Sequence, residues 1–168
     1  LEQTLKSYVS IDIETTGTDP SFCQVLEVGA VIDDWVTPIE QLSRWHCYVV
    51  HEQIIGQPVG IAMNAELIRT IGERSKPGLY VTPDEVGAAL RRWLIGQEVL
   101  ESTNGASIVA AGKNFASFDR QFLQALPQFN VPFHHRSIDP AMFYWKPSVD
   151  ESSRPICETG AAEIGVFG

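Results

Sequence analysis

What this chain has little of narrows it first. No apolar run approaches the roughly 20 residues of a membrane-spanning helix, so no membrane partner is expected. Lys and Arg number 12 against 21 Asp and Glu, a net charge of −9. Without a basic surface the chain is not built to coat nucleic acid non-specifically. A more local nucleic-acid chemistry stays open, because bound cations cancel carboxylates and attract phosphate. The three cysteines, Cys23, Cys47 and Cys157, lie far apart and form no C-x-x-C pair. They read as buried free thiols of a reducing cytosol rather than as a zinc site, so a cytoplasmic location is expected. The opening LEQTLKSYV lacks the basic and apolar regions of a signal peptide, and Leu1 is not expected to be the native start. Repeats, low-complexity tracts and signs of a second domain are missing too. A length of 168 residues with 44 % hydrophobic side chains suits one α/β domain with a proper core.

What is there begins with SYVSIDIETTG. Val9, Ile11 and Ile13 alternate with Ser10, Asp12 and Glu14, the period of a strand, so both carboxylates fall on one face. Like charges that close repel, and each loses water if the strand is central. A hard divalent cation such as Mg²⁺ or Mn²⁺ would relieve that repulsion. The pair is half of a metal site or the polar face of a surface hairpin, and D-x-E alone is too short to decide. Thr15, Thr16 and Gly17 follow, before a turn at Asp19-Pro20. Gly17 either supplies a positive φ there or lets a substrate approach the backbone.

Residues 7–13, 24–35 and 43–50 read as three strands with short connections, an antiparallel meander. A loop through Gly56, Pro58 and Gly60 leads into a helical segment, IAMNAELIRTI. Thr82, Pro83, Asp84 and Glu85 form a capping-box pattern opening another helix, with an apolar stripe of Val86, Ala89, Leu90, Trp93 and Leu94. Residues 106–112 read as a buried strand, 115–126 as a helix and 134–139 as a short strand. Asp139 then caps a helix that starts at Pro140 and runs through Trp145, before a polar loop over 147–155. Trp35, Trp45 and Trp145 are assigned to core packing, and His46 and His51 to surface or core.

Asp119 lies in FASFDRQFLQAL with Phe115, Ala116, Phe122 and Leu123 three and four positions away. All are apolar, so the carboxylate falls within the face that packs on the sheet, where an unpaired charge is costly. That placement predicts a functional role. Asn114, at the strand-to-helix junction, caps the helix or orients a substrate.

The order D-I-E-T-T-G, then K-N-F-A-S-F-D-R-Q-F-L about a hundred residues later, resembles the DEDD superfamily of 3′→5′ exonucleases, which includes proofreading exonucleases and oligoribonuclease. VLEVGAV and IAMNAELI match the family's intervening segments. The resemblance implies a ribonuclease H-like fold: a five-stranded mixed sheet, an antiparallel meander plus two parallel strands, flanked by helices. It implies a two-metal phosphodiesterase using Mg²⁺ or Mn²⁺, with Asp12 bridging both ions, Glu14 on the first and Asp119 on the second. Thr15, Thr16 and Gly17 would hold a 3′-terminal nucleotide, with Met63 and Asn64 beside its base or sugar and Asn114 nearby. Lys113, Arg120, His134, His135 and Arg136 form a basic rim or a solvated surface. The implied substrates are single-stranded DNA or short RNA 3′ ends, cut to nucleoside monophosphates. A homodimer or a replication partner is left open.

The family also requires a fourth carboxylate and a general base, as H-x-x-x-x-D or Y-x-x-x-D. The tyrosine form is set aside: Tyr144 plus four is Ser148, and Tyr80 plus four is Asp84, in the first turn of the capped helix. His134 and Asp139 have the histidine spacing. They come too soon, Arg136 stands where the family carries Ala, and Asp139 has its capping role, so the pair reads as a decoy. The third motif is expected beyond Gly168, which makes residues 1–168 one exonuclease-like domain lacking its last helix. The alternative is a catalytically deficient nucleic-acid-binding or protein-interaction module. Loss of a base costs on the order of 10²–10⁴-fold in rate.

Overall fold

The alternating strands build a mixed sheet in a computed structural model that describes residues 7–100 and 107–143. In chain order the elements are β1 (Tyr8–Thr15), β2 (Val25–Asp33), β3 (Arg44–Val49), α1 (Pro58–Met63), α2 (Ala65–Glu73), β4 (Tyr80–Val81), α3 (Val86–Gly96), β5 (Ala110–Ala111) and α4 (Asp119–Ala125). The five strands lie in the order β4-β3-β2-β1-β5. The meander of β1, β2 and β3 is antiparallel, while β5 runs parallel to β1 and β4 parallel to β3.

The period-two pattern divides the sheet into unlike faces. Val9, Ile11, Ile13, Val28, Ala30, Ile32, Cys47 and Val49 point into the main core, against Val86, Leu90 and Leu94 of α3 and Phe122 and Leu123 of α4. The other face carries Asp12 and Glu14, and its apolar cover is a smaller cluster of Leu26 and Tyr48 against Ile71 of α2. Leu26 reaches that face through a bulge. Glu14 pairs with Glu27 but Thr15 pairs with Val25, so Leu26 is the extra residue.

Several sequence expectations change in detail. IAMNAELIRTI is not one helix: Asn64, at φ −98° and ψ 18°, ends α1 and precedes α2. Its side-chain amide donates to the Thr15 carbonyl at 3.0 Å, which holds the break against β1. Residues 134–139 form no regular strand; they touch the sheet through a single bridge, Ile138 with Ala111, next to a bridge of the preceding Phe133 with Ile108. The fifth strand is instead β4, two residues on the far edge, which the sequence reading did not foresee. The helix expected from Phe115 is regular only from Asp119, after turns through residues 113–118. Only half of the capping box forms, since the Thr82 hydroxyl donates to the Asp84 carboxylate rather than accepting a helix N–H. The Thr82 N–H donates to the Glu85 carboxylate at 2.8 Å, with the regular helix starting at Val86.

Cys23 and Cys47 are buried and free, as expected, whereas Cys157 lies outside the described residues. Trp45 joins the core against Trp93, with ring centres 6.3 Å apart. Trp35 does not: it is 52 % exposed, on a loop, at φ 68°, beside the Tyr8 ring. Trp145 and the 147–155 loop lie outside the described residues. Among the described residues no helix is long and apolar enough to cross a membrane.

The loop after β1 is locked by close backbone approach. A side chain at Gly60 would run into the Thr16 carbonyl, and one at Gly56 into the Thr16 side chain. Gly60→Ala therefore forces α1 away from Thr16 and is expected to cost on the order of 2 kcal/mol or more. Urea denaturation of the variant beside the parent chain checks this.

Candidate functional site

Asp12 and Glu14 stand near the carboxyl end of β1 on its polar face, open to solvent on one side. Water is nevertheless partly removed around them, and that loss raises both carboxyl pKa values. The Glu27 charge raises Asp12 further, and the Asp12 and Glu27 charges raise Glu14. A hydrogen bond from the Asn64 side chain works the other way on Glu14.

Asp119 is the first residue of α4 and is only 4 % exposed. Burial pushes its carboxyl up to about 7, with the Asp12 and Glu14 charges adding to the rise. The Ile13 N–H opposes the shift at both Asp119 and Asp12, so the two carboxylates share a backbone donor between them. That donor is free because β5 pairs only with Val9 and Ser10 and leaves the rest of this β1 edge unladdered. Phe115, Phe122 and Leu123 are buried around Asp119 as the helical spacing predicts, but Ala116 is exposed because its segment is a turn. Two carboxylates of β1 thus share one end of the strand with a third that lies more than a hundred positions later in sequence.

The remaining predicted positions fall into two groups. Thr15 and Thr16 are buried, and their hydroxyls are engaged within the protein. Thr15 Oγ1 donates to the Gly17 carbonyl at 2.6 Å. Thr16 Oγ1 donates to the Ile55 carbonyl at 2.6 Å and accepts the Gln24 N–H at 2.8 Å. Gly17 takes a positive φ of 159°, and a side chain there would come within 2.6 Å of Cys23 Sγ and 2.7 Å of Gln57 Oε1. Backbone conformation and close packing both call for glycine. Asn64 lies against β1, while its neighbour Met63 is 81 % exposed.

Asn114 does not cap α4 with its side chain. It takes φ 56°, a conformation Asn tolerates, and its carbonyl accepts the Ser117 and Phe118 N–H groups at 2.9 Å each. Asp139 behaves as the cap expected of it. One oxygen accepts the Ala141 N–H at 2.9 Å and the other the Asn114 N–H at 3.2 Å, joining the 3₁₀ turn over Pro140–Phe143 to the loop before α4. His134 Nδ1 accepts the Arg136 N–H at 3.1 Å, and Arg120 Nη1 donates to the His134 carbonyl at 3.2 Å. His51 pairs with the Val25 carbonyl at 2.7 Å.

Sequence reasoning passed over Glu27, Gln57 and Gly60. Glu27 was the most legible of the three: it is the one charged residue in VLEVGAV, at the polar phase of the strand. Gln57 carries no such signal. Its N–H donates to the Thr16 carbonyl at 2.9 Å and its Oε1 accepts the Thr18 N–H at 3.0 Å, contacts that exist only after folding.

Among the described residues, no three His, Cys, Asp or Glu side chains are pre-arranged to hold a metal ion. The donor chemistry still suits a hard divalent cation, since the Asp12 charge raises Glu14 and the charges of both raise Asp119. The carboxylates are gathered but not closed into a cage.

No family model matches the sequence, and no curated protein matches it. Solved structures do. The chain is similar to E. coli Exonuclease I in complex with a 5cy-dA13 oligonucleotide, with a TM-score of 0.54 at 12 % identity, over 84 % of this chain and 28 % of that one. The metal-free form of the E. coli Exonuclease I complex with single-stranded DNA gives 0.53 at 12 % identity, over 84 % and 31 %. The zinc-bound form gives 0.51 at 14 %, over 84 % and 28 %. The chain spans less than a third of the length of these proteins. What the likeness shows is the fold, a five-stranded mixed sheet flanked by helices.

The Asp119 pKa makes a signed prediction for the metal-free chain. A carboxyl held near 7 when folded, against about 3.9 when unfolded, costs stability above pH 7 and progressively less as pH falls toward 4. In chelator at pH 8, Asp119→Asn should therefore stabilise the chain by on the order of 2 kcal/mol. The gain should shrink by pH 5 in paired thermal melts.

Proposed function

We propose that the chain is a metal-dependent 3′→5′ exonuclease domain that releases nucleoside monophosphates from single-stranded ends. The observation that carries this reading is the convergence of Asp12, Glu14 and Asp119, with the Asp12 charge raising Glu14 and the charges of both raising Asp119, on a sheet similar to that of an exonuclease. Structural carboxylates are normally paired with a cation of the protein; three crowded together are a receptor for positive charge.

In this reading Asp12 lies between two cation positions, Glu14 serves the first and Asp119 the second. When bound, Mg²⁺ or Mn²⁺ supplies Lewis acidity for the attacking water and for the departing 3′ oxygen. The chain's own residues do the positioning. Asn64, bonded to β1 and to Glu14, restrains that carboxylate's orientation. Exposed Met63, one residue away, offers an apolar surface to the terminal base. Thr15, Thr16 and Gly17 contribute a rigid wall, since the threonine hydroxyls are engaged internally. Asn114 and the cations around α4 lie on the flank a phosphate chain would follow. Single-stranded DNA bound to the similar Exonuclease I structures supports DNA as a substrate, and short RNA stays within the proposal.

A second reading, an exonuclease-like binding module without catalysis, draws on one observation. His134 and Asp139, which have the histidine spacing of a base-and-ligand motif, are occupied in hydrogen bonds within the protein.

A Mn²⁺-dependent degradation assay on 5′-labelled single-stranded DNA and RNA separates the two readings. It should use this chain and the longest natural polypeptide that contains it. Shortening from the 3′ end, abolished by chelator and by Asp12→Ala, is the expected result. Absence of shortening with both polypeptides leaves the binding module in its place. Asp139→Asn should leave hydrolysis largely unchanged while costing about 1 kcal/mol or less through the lost cap; loss of hydrolysis with stability intact would overturn the capping role.

A further inference from the structure

The polar face of the sheet continues past the three carboxylates. The β1–β2 register sets Glu27 directly opposite Glu14 and places Gly29 opposite Asp12. Directly opposed like charges oppose strand pairing, so Glu27 is a poor residue there for stability alone. One strand further, His46 lies opposite Gly29 and Tyr48 opposite Glu27. With no side chain on Gly29, the His46 ring crosses toward Glu27, and Nε2 stands 2.5 Å from its Oε1. The approach is close but misaligned for hydrogen bonding, so Nε2 is buried without a hydrogen-bond partner. Packing, not a bond, puts the ring there: it sits edge-on to Tyr48 at 4.5 Å, and Tyr48 accepts a hydrogen bond from Lys76 Nζ at 2.9 Å. Glu27 thus has the His46 ring on its β3 side and the Glu14 carboxylate on its β1 side.

We propose that Glu27, flanked by His46, is a positioning residue that sets how tightly the Asp12, Glu14 and Asp119 carboxylates hold a divalent cation. The inference rests on the cation site proposed above and adds a member from β2 that no D-x-E or N-x-x-x-x-D motif contains. Glu27 acts through its field: it stands directly opposite Glu14 on the polar face of the sheet, and a carboxylate placed there attracts a cation held by Asp12 and Glu14. His46 keeps the carboxylate from swinging out to solvent, and Lys76 limits the excess negative charge from the far side.

The test is Mn²⁺ binding by the whole chain, without nucleic acid, measured by calorimetry alongside melting of the metal-free protein. Glu27→Gln should weaken Mn²⁺ binding about 3- to 10-fold, by removing one nearby charge, while the metal-free melting temperature holds or rises. Glu27→Asp, which keeps the charge, should restore most of the affinity. Unchanged affinity in Glu27→Gln overturns the proposal. So does a loss of affinity that accompanies a lower melting temperature and is not rescued by Glu27→Asp. Asp12→Ala separates this from the underlying reading. If it abolishes Mn²⁺ binding while Glu27→Gln does not weaken it, only the role of Glu27 fails. If Asp12→Ala binds Mn²⁺ like the parent chain, the cation site and the role of Glu27 fail together.

Discussion

Mutual repulsion of carboxylates at the end of β1 is the constraint around which the structure is arranged. Asp119 is almost fully buried, and the charges of Asp12 and Glu14 reach it. Such a group costs folding free energy at neutral pH, because a buried carboxyl keeps its charge only against desolvation and its neighbours. The chain softens that cost in two ways. It leaves Asp12 and Glu14 open to water on one side, and it aims the Ile13 N–H at the cluster. It does not set an Arg or Lys against Asp119 among the causes that shift its pKa. A stabilising design would have done so.

The surrounding architecture makes that unfavourable arrangement rigid. Thr16 is fully buried, its hydroxyl satisfied as donor and as acceptor, with α1 pressed against its carbonyl through Gly60. Asn64 interrupts what would otherwise be a longer helix and ties the break to Thr15. The bulge at Leu26 lets one short stretch of β2 feed both cores while Glu27 stays on the polar face. Each feature sacrifices local regularity, in helix, strand or loop, to fix where the carboxylates stand. Regularity broken next to a charged cluster is the pattern of a site rather than of a scaffold.

Local periodicity carried most of the reading of β1, β2, β3 and α3, because side chains that alternate or recur every third and fourth position report their own face. It failed where pairing depends on distant partners. β4 is two residues long and exists only because Tyr48 and Val49 present an open edge beside it. Residues 134–139 look like a strand, yet the turn through His134 and Arg136 leaves them only a single bridge to the sheet. Trp35 looked like a core residue by type alone. Its place on the loop after β2, in a left-handed conformation, keeps it 52 % exposed.

The sequence by itself determined which face of β1 carries Asp12 and Glu14, that Asp119 is buried, and that Asp139 caps a turn. These follow from period, neighbour spacing and cap chemistry within a few residues of each position. Only the tertiary structure decided that Asp119 comes to Ile13, that the hydroxyls of Thr15 and Thr16 are spent inside the protein, and that Glu27 and His46 extend the charged face. Those facts depend on strand register, on an unladdered edge and on the approach of Gly60. Such relations between distant segments take shape only when the chain packs, and no local pattern encodes the resulting distances.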